Sequence, residues 1–527
     1  MARLSSLVAA AFVSVVSLMA LQADAEMITT DVIIIGAGAS GITAAKTLAD
    51  QGVTDFVMLE ATDRVGGRVR NADFAGGKVE LGANWVEGVN GPGPVNPVWT
   101  LAQEVNLRSF YSFFDNGTSN IYDERGFVPI EEAASTVEAA DKAFEFVGEL
   151  SKNLTEGNIE DISQQTGQRF FGFYPKTAIE MALDWWYYDF TTAEPPRASS
   201  LKNTVPLPTE EIFGPDHYFV ADPRGYAVVF QPLLKSYLKM DGETVVDSRL
   251  KLGKVVNKIE YTDTGVVVST ADGSVYKAKA AIVTASIGVL QSNLINFSPG
   301  LPFWKMSVIY QFDMAVYTKI FLSFPSKFWP THPGSEFMLY ADESRGYYTI
   351  WQSLDKQFPD KSLIFVTVTD EQSKRVNQQS FNDTLGEVMV VLRKMFGENI
   401  PMADEIYYYD WQSDPYAKGS YSNWPIGVST FEFKQLQAPV GRVYFCGEHT
   451  SELYSGYLHG ALLEGERTGN EVIQCLKKGK CQGDFAAGMK PPPDSCRAAM
   501  KKEAEKTKKY WSKQVDSLRD QLHGKCT

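Results

Sequence analysis

Three glycines and one acid could together bind a dinucleotide. Gly36, Gly38 and Gly41 follow an apolar run in the order Gly-x-Gly-x-x-Gly, and Glu60 lies about twenty residues further on. The first glycine permits a tight turn, the second lets the backbone approach a pyrophosphate, and the third packs a helix against a strand. The helix N-terminus presents free N–H groups to the phosphates. Glu60 can accept hydrogen bonds from both ribose hydroxyls and would repel a 2′-phosphate, so the pattern disfavours NADP.

A lone lysine, Lys319, interrupts the strand-like stretch AVYTKIFLSF at residues 315–324. One interpretation is an edge strand, in which an exposed ammonium discourages pairing with another molecule. The other is a desolvated lysine with a lowered pKa, which can switch between proton donor and acceptor. Nothing local to the strand distinguishes the two.

The elements that would hold these residues alternate along the chain. The run from Val32 to Ile35 is predicted as a parallel strand buried on both faces, and FVMLE, ending at Glu60, as a second strand. We expect an α/β fold in which a Rossmann-type domain is interleaved with an α+β substrate-binding domain. The Rossmann-type domain is assigned residues 30–95, 224–299 and 430–475, and the substrate-binding domain residues 96–223 and 300–429.

Composition restricts the partners. A chain of 527 residues with 44% hydrophobic and 12% aromatic residues is long enough for two packed domains. Its formal net charge of −14 favours cationic small molecules and disfavours nucleic acid. Residues 476–527 carry 13 Lys and Arg against 6 Asp and Glu, so this basic tail could contact an anionic surface or remain a solvated segment.

The N-terminal segment indicates export. Residues 1–25 join one arginine, a short apolar run and a small-residue ending at Ala25, which is typical of a signal peptide. We see no later membrane span and expect a soluble, secreted, extracellular or apoplast-like protein. Four glycosylation motifs agree with that, at Asn116, Asn153, Asn296 and Asn382.

Cysteine usage fits an oxidising compartment. Four of the five cysteines, Cys475, Cys481, Cys496 and Cys526, fall near the C-terminus, where disulfides could form in pairings that the sequence leaves open. Cys446 lies in an apolar stretch and is predicted to be a buried thiol. No spacing is typical of a metal site.

Longer motifs add a resemblance. The stretches ATDRVGGRVR, VELGANWVEG, TAEPPR, FDMAVYTKIF, GSYSNWPIG and GEHTSELYSGYLHGA are spread from about Thr30 to Cys475. Together they resemble the flavin-dependent amine oxidase family, and within it the secreted plant polyamine oxidases. The resemblance implies the two-domain amine oxidase fold, with FAD bound noncovalently, since no cysteine lies near SNWP where monoamine oxidases attach flavin.

The resemblance also implies which residues bind FAD. Arg68 would neutralise the pyrophosphate, Val256 would contact the adenine end, and Glu448 would bind the ribityl or pyrophosphate region. The remaining implied contacts, besides the glycines and Glu60, are Ser40, Gly67, Gly82, Ala83, Asn84, Trp85, Trp411, Gly456 and Tyr457.

Five residues are implied in the chemistry. Lys319 matches the lysine that holds a water near flavin N5, and Tyr317 shares its strand face. Tyr421 and Tyr457 match the aromatic pair that flanks the substrate and attracts a cation. Glu87 matches the carboxylate that binds a distal substrate ammonium.

Two positions depart from the plant pattern. Tyr421 stands where the plant relatives usually have Phe, which adds a hydroxyl that needs a partner. Thr191 stands where they have a second tunnel glutamate, which removes an opposite charge from the substrate path. Asp189 or Glu194 could take over that charge, although neither aligns with it.

The expected activity is oxidation of spermine or spermidine at a secondary amine by O2. The products would be an aminoaldehyde, a shorter amine such as 1,3-diaminopropane, and hydrogen peroxide. One alternative is a monoamine, N-acetylpolyamine or amino-acid oxidase on the same scaffold. A second is a catalytically silent, secreted glycoprotein that binds a surface.

Overall fold

A mixed sheet of eight strands carries the glycine-rich turn at the end of its central strand. The computed structural model describes residues 27–479 and 481. Parallel pairing joins the central strand to a neighbour on each side, and both its faces are buried, as the apolar sequence Val32–Ile35 predicts. The strands of this sheet are β1 (Ile28–Ile35), β2 (Phe56–Leu59), β12 (Leu250–Lys251), β13 (Val256–Tyr261), β14 (Val266–Thr270), β15 (Val275–Val283), β16 (Asn296–Ser298) and β24 (Val443–Phe445).

A second sheet of seven strands contains Lys319. Its strands are, from one edge to the other, β22 (Glu405–Tyr407), β18 (Tyr317–Ser323), β21 (Leu363–Thr369), β20 (Ile350–Ser353), β19 (Phe337–Tyr340), β7 (Ile121–Asp123) and β8 (Gly126–Phe127). β22 pairs only with residues 321–323 of β18, so the half that holds Lys319 has a strand neighbour on one side only. The side chain of Lys319 is nevertheless only 4% exposed. Lys319 does lie on an edge segment, but its ammonium is buried, so it cannot act as the exposed charge that the edge-strand interpretation requires.

The described residues also form four small sheets. One has three antiparallel strands, and the others are hairpins or paired segments. Their strands are β5 (Trp85–Val89), β9 (Asp216–Val220) and β6 (Ser109–Tyr111); β3 (Asn71–Phe74) with β4 (Gly77–Glu80); β10 (Met240–Asp241) with β11 (Thr244–Val245); and β17 (Asp313–Ala315) with β23 (Tyr421–Asn423).

Helices cover both large sheets. The α-helices are α1 (Ala39–Asp50), α2 (Pro97–Glu104), α3 (Ile130–Glu156), α4 (Gln164–Phe171), α5 (Ala178–Tyr187), α6 (Asp189–Thr192), α7 (Leu201–Thr204), α8 (Pro208–Phe213), α9 (Gln231–Tyr237), α10 (Ile287–Leu290), α11 (Phe303–Gln311), α12 (Asp370–Asn377), α13 (Phe381–Phe396), α14 (Thr430–Gln437) and α15 (Leu458–Lys478). Short 3₁₀ helices lie at Phe114–Ser119, Tyr226–Phe230 and Glu448–Thr450. Within the described residues, no helix is long and apolar enough to cross a membrane.

The eight-stranded sheet draws its strands from 28–59, 250–298 and 443–445, and the seven-stranded sheet from 121–127 and 317–407. Each sheet is thus assembled from separated pieces of chain, although the exact boundaries of the two predicted domains stay a prediction. Cys475 and Cys481 form a disulfide, and Cys446 is a fully buried free thiol. The signal segment, most of the basic tail, Cys496 and Cys526 lie outside the described residues.

Candidate active site

One cavity of about 1100 Å³ is lined both by the glycine-rich turn and by residues of β5, β9, α6 and α8. Its walls contain every residue that the sequence implied for flavin binding except Gly41, and every implied chemical residue except Lys319. Gly41 and Lys319 contact residues of the cavity wall from behind. Gly41 packs against the backbone of Gly36, and Lys319 donates hydrogen bonds to Gly82 and Asn84.

The glycine-rich turn forms an open cradle. Gly36 has a φ of +104°, which favours glycine, and a Cβ on Gly41 would lie 2.1 Å from the carbonyl oxygen of Gly36. No side chain caps the N-terminus of α1. Gly38, Ala39 and Ser40 line the cavity, so this helix N-terminus, with the partial positive charge that a phosphate requires, lies at the cavity wall. These features fit a bound dinucleotide, and Gly41 serves packing as the sequence predicts.

Glu60 braces this cradle. It is only 7% exposed, and its Oε2 accepts a hydrogen bond of 2.8 Å from the N–H of Ala37 in the glycine-rich turn. Oε1 accepts hydrogen bonds from the N–H and hydroxyl of Thr62. The carboxylate still lines the cavity, so a role toward a ribose stays a prediction.

An ion pair connects the two motifs that flank the cavity. Nη1 of Arg68 donates to Oε1 of Glu448 at 2.7 Å, and the Gly456 N–H donates to Oε2 at 2.8 Å. The hydroxyl of Ser422 also donates to this carboxylate. Burial acts to raise the pKa of Glu448, but the charge of Arg68 and these hydrogen bonds hold it below its usual value. Glu448 is therefore an anion fixed at the cavity wall.

Two tryptophans frame the middle of the cavity. Nε1 of Trp85 donates to the hydroxyl of Ser112 at 3.1 Å, and Nε1 of Trp411 donates to the carbonyl oxygen of Leu81 at 3.1 Å. Both rings are held in place while one surface faces the cavity. Val256, the first residue of β13, and Glu60 also line the cavity.

Lys319 is anchored behind the wall by the GANW segment. Its Nζ donates to the carbonyl oxygen of Gly82 at 2.6 Å and to Oδ1 of Asn84 at 2.8 Å. Burial lowers the pKa of Lys319 to about 7, although the charge of Glu80 opposes this shift. The ammonium can therefore lose its proton near neutral pH, as the second interpretation of this lysine requires.

The sequence analysis missed Glu80. This residue ends β4 inside the VELGANWVEG motif, is 4% exposed, and accepts a hydrogen bond from the Tyr226 N–H through Oε1. Within residues 27–479, its Oε2 has no hydrogen-bond partner, and neither has Nδ2 of Asn84. Burial raises the pKa of Glu80 to about 7, and the charge of Lys319 opposes that rise. The available signal was an acid at a strand end, between the apolar residues Val79 and Leu81.

Tyr317 and Tyr421 meet at the cavity wall. Their ring centroids are 6.1 Å apart, and the hydroxyl of Tyr421 donates to the backbone oxygen of Thr191 at 2.9 Å. The extra hydroxyl therefore has its partner at the second unusual position. Asp189 forms a two-bond ion pair with Arg345, and Glu194 accepts from Asn423. Neither acid lines the cavity, so neither supplies the charge that Thr191 lacks.

Tyr457 is backed by a histidine. The ring of His459 stacks on it with centroids 5.0 Å apart, while Nδ1 and Nε2 of His459 contact Nδ2 of Asn96 at 3.3 Å and the hydroxyl of Thr209 at 3.1 Å. Burial lowers the pKa of His459 to about 3, so this ring is neutral. The same Asn96 amide donates to the carbonyl oxygen of Glu87 at 2.6 Å. One hydrogen-bond network thus joins the backbone of Glu87 to the support of Tyr457.

Glu87 projects into the cavity from β5. Burial raises the pKa of Glu87 to about 7, with the charge of Glu210 adding to this shift and His217 opposing it. His217 and Glu210 also line the cavity, and the sequence analysis singled out neither. The order of apolar and polar residues in β9 does not show which face of the strand lines the cavity. His217 could be assigned to that face only once the pairing with β5 was known.

Fold and site together define a dinucleotide-dependent enzyme whose binding cradle opens into a cavity of tyrosines and carboxylates. Residues 39–473 match the family described as flavin containing amine oxidoreductases. The chain is 51% identical over 459 residues to polyamine oxidase 1 of Zea mays, an alignment that covers 86% of this chain and 92% of that protein. It is 50% identical over 457 residues to polyamine oxidase 6 of Oryza sativa subsp. japonica, with the same coverage of 86% and 92%.

A solved structure of putrescine oxidase bound to putrescine superposes with a TM-score of 0.68 and covers 85% of this chain and 99% of its own. At 17% identity it supports the fold alone. The chain belongs to the flavin-containing amine oxidoreductase family. It is therefore a flavin enzyme with FAD as its cofactor and with the two-domain amine oxidase fold, as predicted.

Proposed function

We propose that this enzyme oxidises the polyamines spermine and spermidine at a secondary amine. The observation that carries the proposal is Glu87, an acid without a hydrogen-bonded partner of its own, in the same cavity as Tyr317, Tyr421 and Tyr457. A polyamine needs such a carboxylate for its distal ammonium and aromatic faces around its chain. The similarity to plant polyamine oxidases over most of the chain also supports it.

The reaction balances as a two-electron oxidation. The carbon–nitrogen single bond becomes an imine as the substrate gives up two electrons and two protons, and O2 takes them up as hydrogen peroxide. Water then cleaves the imine into an aminoaldehyde and a shorter amine, 1,3-diaminopropane in our proposal. FAD, when bound, supplies the two-electron acceptor.

The chain's own residues bind the substrate and manage its protons. Glu87 binds the distal ammonium, and the tyrosines exclude water and hold the chain. Lys319, with a pKa near 7, can hold or release a proton beside the cavity and is the residue to which we assign proton handling. Arg68, Glu448 and the α1 N-terminus are proposed to hold FAD, together with the other cavity residues that the sequence implied.

Noncovalent binding of FAD is part of the proposal. Cys446 does not line the cavity, and burial raises the pKa of its thiol to about 12, so it is a poor nucleophile. Acid precipitation of the holoenzyme should leave the flavin in the supernatant. Flavin that stays with the pellet would contradict this point.

One experiment tests the reaction. The purified enzyme is incubated with spermine, spermidine and their N-acetyl forms, products are identified by mass spectrometry, and peroxide is measured in parallel. We expect equimolar peroxide, 1,3-diaminopropane and an aminoaldehyde from spermine and spermidine. Exclusive turnover of the N-acetyl forms, or of monoamines, would replace the substrate assignment.

We also propose export. The signal-like residues 1–25 and the exposed motifs at Asn153, Asn296 and Asn382 support it. After expression in a secreting eukaryotic host, the protein should be found in the culture medium, begin near residue 26 and lose mass on N-glycosidase treatment. Retention in the cell with an intact N-terminus would contradict the proposal.

A further inference from the structure

One wall of the cavity holds a histidine between two carboxylates. The pairing of β5 with β9 places His217 directly opposite Glu87, and side chains at such opposed positions share one face of the sheet. Glu210, from α8, brings its Oε1 to 3.5 Å from Nε2 of His217. All three residues line the cavity.

The surroundings of His217 favour a positive charge. Glu87 faces it from β5, Glu210 from α8 and Asp216 from its own strand, and the Phe114 ring packs edge-on with centroids 5.1 Å apart. Burial acts to lower the pKa of His217, but the ion pair with Glu210 and the charge of Glu87 outweigh it, so the pKa lies above its usual value. Among the described residues Nδ1 is buried without a hydrogen-bond partner, and Glu210 makes the polar contact to this ring.

The position of this cluster matters because Thr191, which also lines the cavity, supplies no carboxylate. The backbone oxygen of Thr191 accepts a hydrogen bond from Tyr421. Asp189 and Glu194 are turned away to other partners. Glu87 and Glu210 are cavity carboxylates next to His217, so an ammonium that binds them must compete with this histidine.

We propose that protonated His217 acts as an internal cation for Glu87 and Glu210, and that it releases its proton when a substrate ammonium binds beside them. The inference rests on the proposed function, because it needs a substrate with more than one ammonium. Like charges repel, so an arriving ammonium lowers the pKa of the imidazolium, and the proton passes to the buffer. His217 and Glu210 then determine how strongly polycations are preferred, and how that preference changes with pH.

The experiment measures protons released on binding. The anaerobic, dithionite-reduced holoenzyme cannot turn over, so spermidine can be titrated calorimetrically in buffers of different protonation enthalpy at pH 7.5, 8.0 and 8.5, where Glu87 is already ionised. The variants are His217→Gln and Glu210→Gln, with His332→Gln as the matched control, because His332 is an exposed histidine away from the cavity. Butylamine is the one-ammonium comparison ligand.

We expect wild type and His332→Gln to release protons with spermidine, and both site variants to release fewer. At pH 7.5, where Glu87 is ionised, His217→Gln should bind spermidine about fivefold more tightly than wild type, because the competing cation is gone, and this difference should become smaller at pH 8.5. Butylamine should release fewer protons than spermidine from wild type.

Proton release by His217→Gln equal to that of wild type would overturn the inference. If that variant does not fold, Glu210→Gln decides, since Glu210 is 43% exposed and its carboxylate raises the pKa of His217. A wild-type enzyme that binds no spermidine and forms no peroxide from it would instead contradict the proposed function, so the two failures are distinct.

Discussion

A buried lysine that titrates near neutral pH is unusual, and its anchoring makes a testable role possible. Replacing Lys319 by Met should leave FAD bound yet slow flavin reduction or reoxidation by about a hundredfold, because a proton carrier is lost. Lys319→Arg should be similarly slow, since a guanidinium keeps its charge and does not deprotonate in this pH range. Stopped-flow absorbance of the flavin measures both half-reactions.

The matched control for that variant is Lys305→Met. Lys305 is also fully buried, but its Nζ donates to the carbonyl oxygens of Gln435, Leu436 and Ala438 at the end of α14, away from the cavity. Its loss should lower the free energy of unfolding by about 3 kcal/mol while the flavin rates stay at wild-type values. Unchanged flavin rates in Lys319→Met would show that Lys319 is also only structural.

Glu87 predicts a pH dependence with a definite sign. Its pKa is raised to about 7 by burial, so the carboxylate is charged above pH 7 and neutral below it. The KM for spermidine should therefore rise as the pH falls through 7. Glu87→Gln should raise the KM for spermidine at pH 8 by about tenfold and the KM for butylamine by much less. Equal losses for the two amines would remove Glu87 from the ammonium site.

The same shift affects stability. Because the pKa of Glu87 is higher in the folded protein than in the unfolded chain, the free energy of unfolding falls as the pH rises from about 4.5 to 7. Above pH 7 the full destabilisation is present. Glu87→Gln should consequently have a higher Tm than wild type at pH 8. This advantage should fade toward pH 4.5, which a thermal-unfolding series at several pH values can check.

At the scale of elements, α6 and β23 are joined by one hydrogen bond between the two residues that depart from the plant pattern. The Tyr421 hydroxyl bonds the backbone of Thr191, not its side chain. Thr191→Glu should therefore keep this bond while it adds an acid to the cavity, and it should lower the KM for spermidine or change the product ratio. Tyr421→Phe should lose about 1 kcal/mol of stability.

Because the bond uses a backbone acceptor, the effects of the two substitutions on KM should add in the double variant. Steady-state kinetics and product ratios for the four proteins of this cycle provide the measurement. Strong non-additivity would mean that the side chain of Thr191, and not only its backbone, is coupled to Tyr421.

Local sequence patterns predicted the strands, helices and turns better than they predicted the titratable residues in and behind the cavity wall. The glycine-rich turn, the buried strand before it and the acid after it are close in sequence, so their spacing alone indicated the cradle. The burial of Lys319 could be predicted only from the resemblance of the longer motifs. Half of β18 lies at a sheet edge, where an exposed lysine is expected, yet the side chain of Lys319 is buried. Glu80, His217 and Glu210 act through neighbours that are distant in sequence, and one-dimensional patterns do not report such pairs.

At the scale of the whole molecule, charge is unevenly distributed. The chain has a formal net charge of −14 although residues 476–527 are basic, so the remainder is more acidic than the total indicates. An acidic body raises the local concentration of a polycation and speeds its encounter with the cavity. This effect sums over many carboxylates and is separate from the contacts inside the cavity.

The salt dependence of kcat/KM tests that effect. Between ionic strengths of about 10 mM and 150 mM, kcat/KM for spermidine should fall about tenfold, and for butylamine much less, because screening acts on each substrate charge. Stopped-flow rates of flavin reduction at low substrate concentration measure it directly. Glu87→Gln should keep the same salt slope despite its higher KM, since one charge in −14 changes the summed field little. A slope that disappears in Glu87→Gln would place the attraction at that one carboxylate instead of the whole surface.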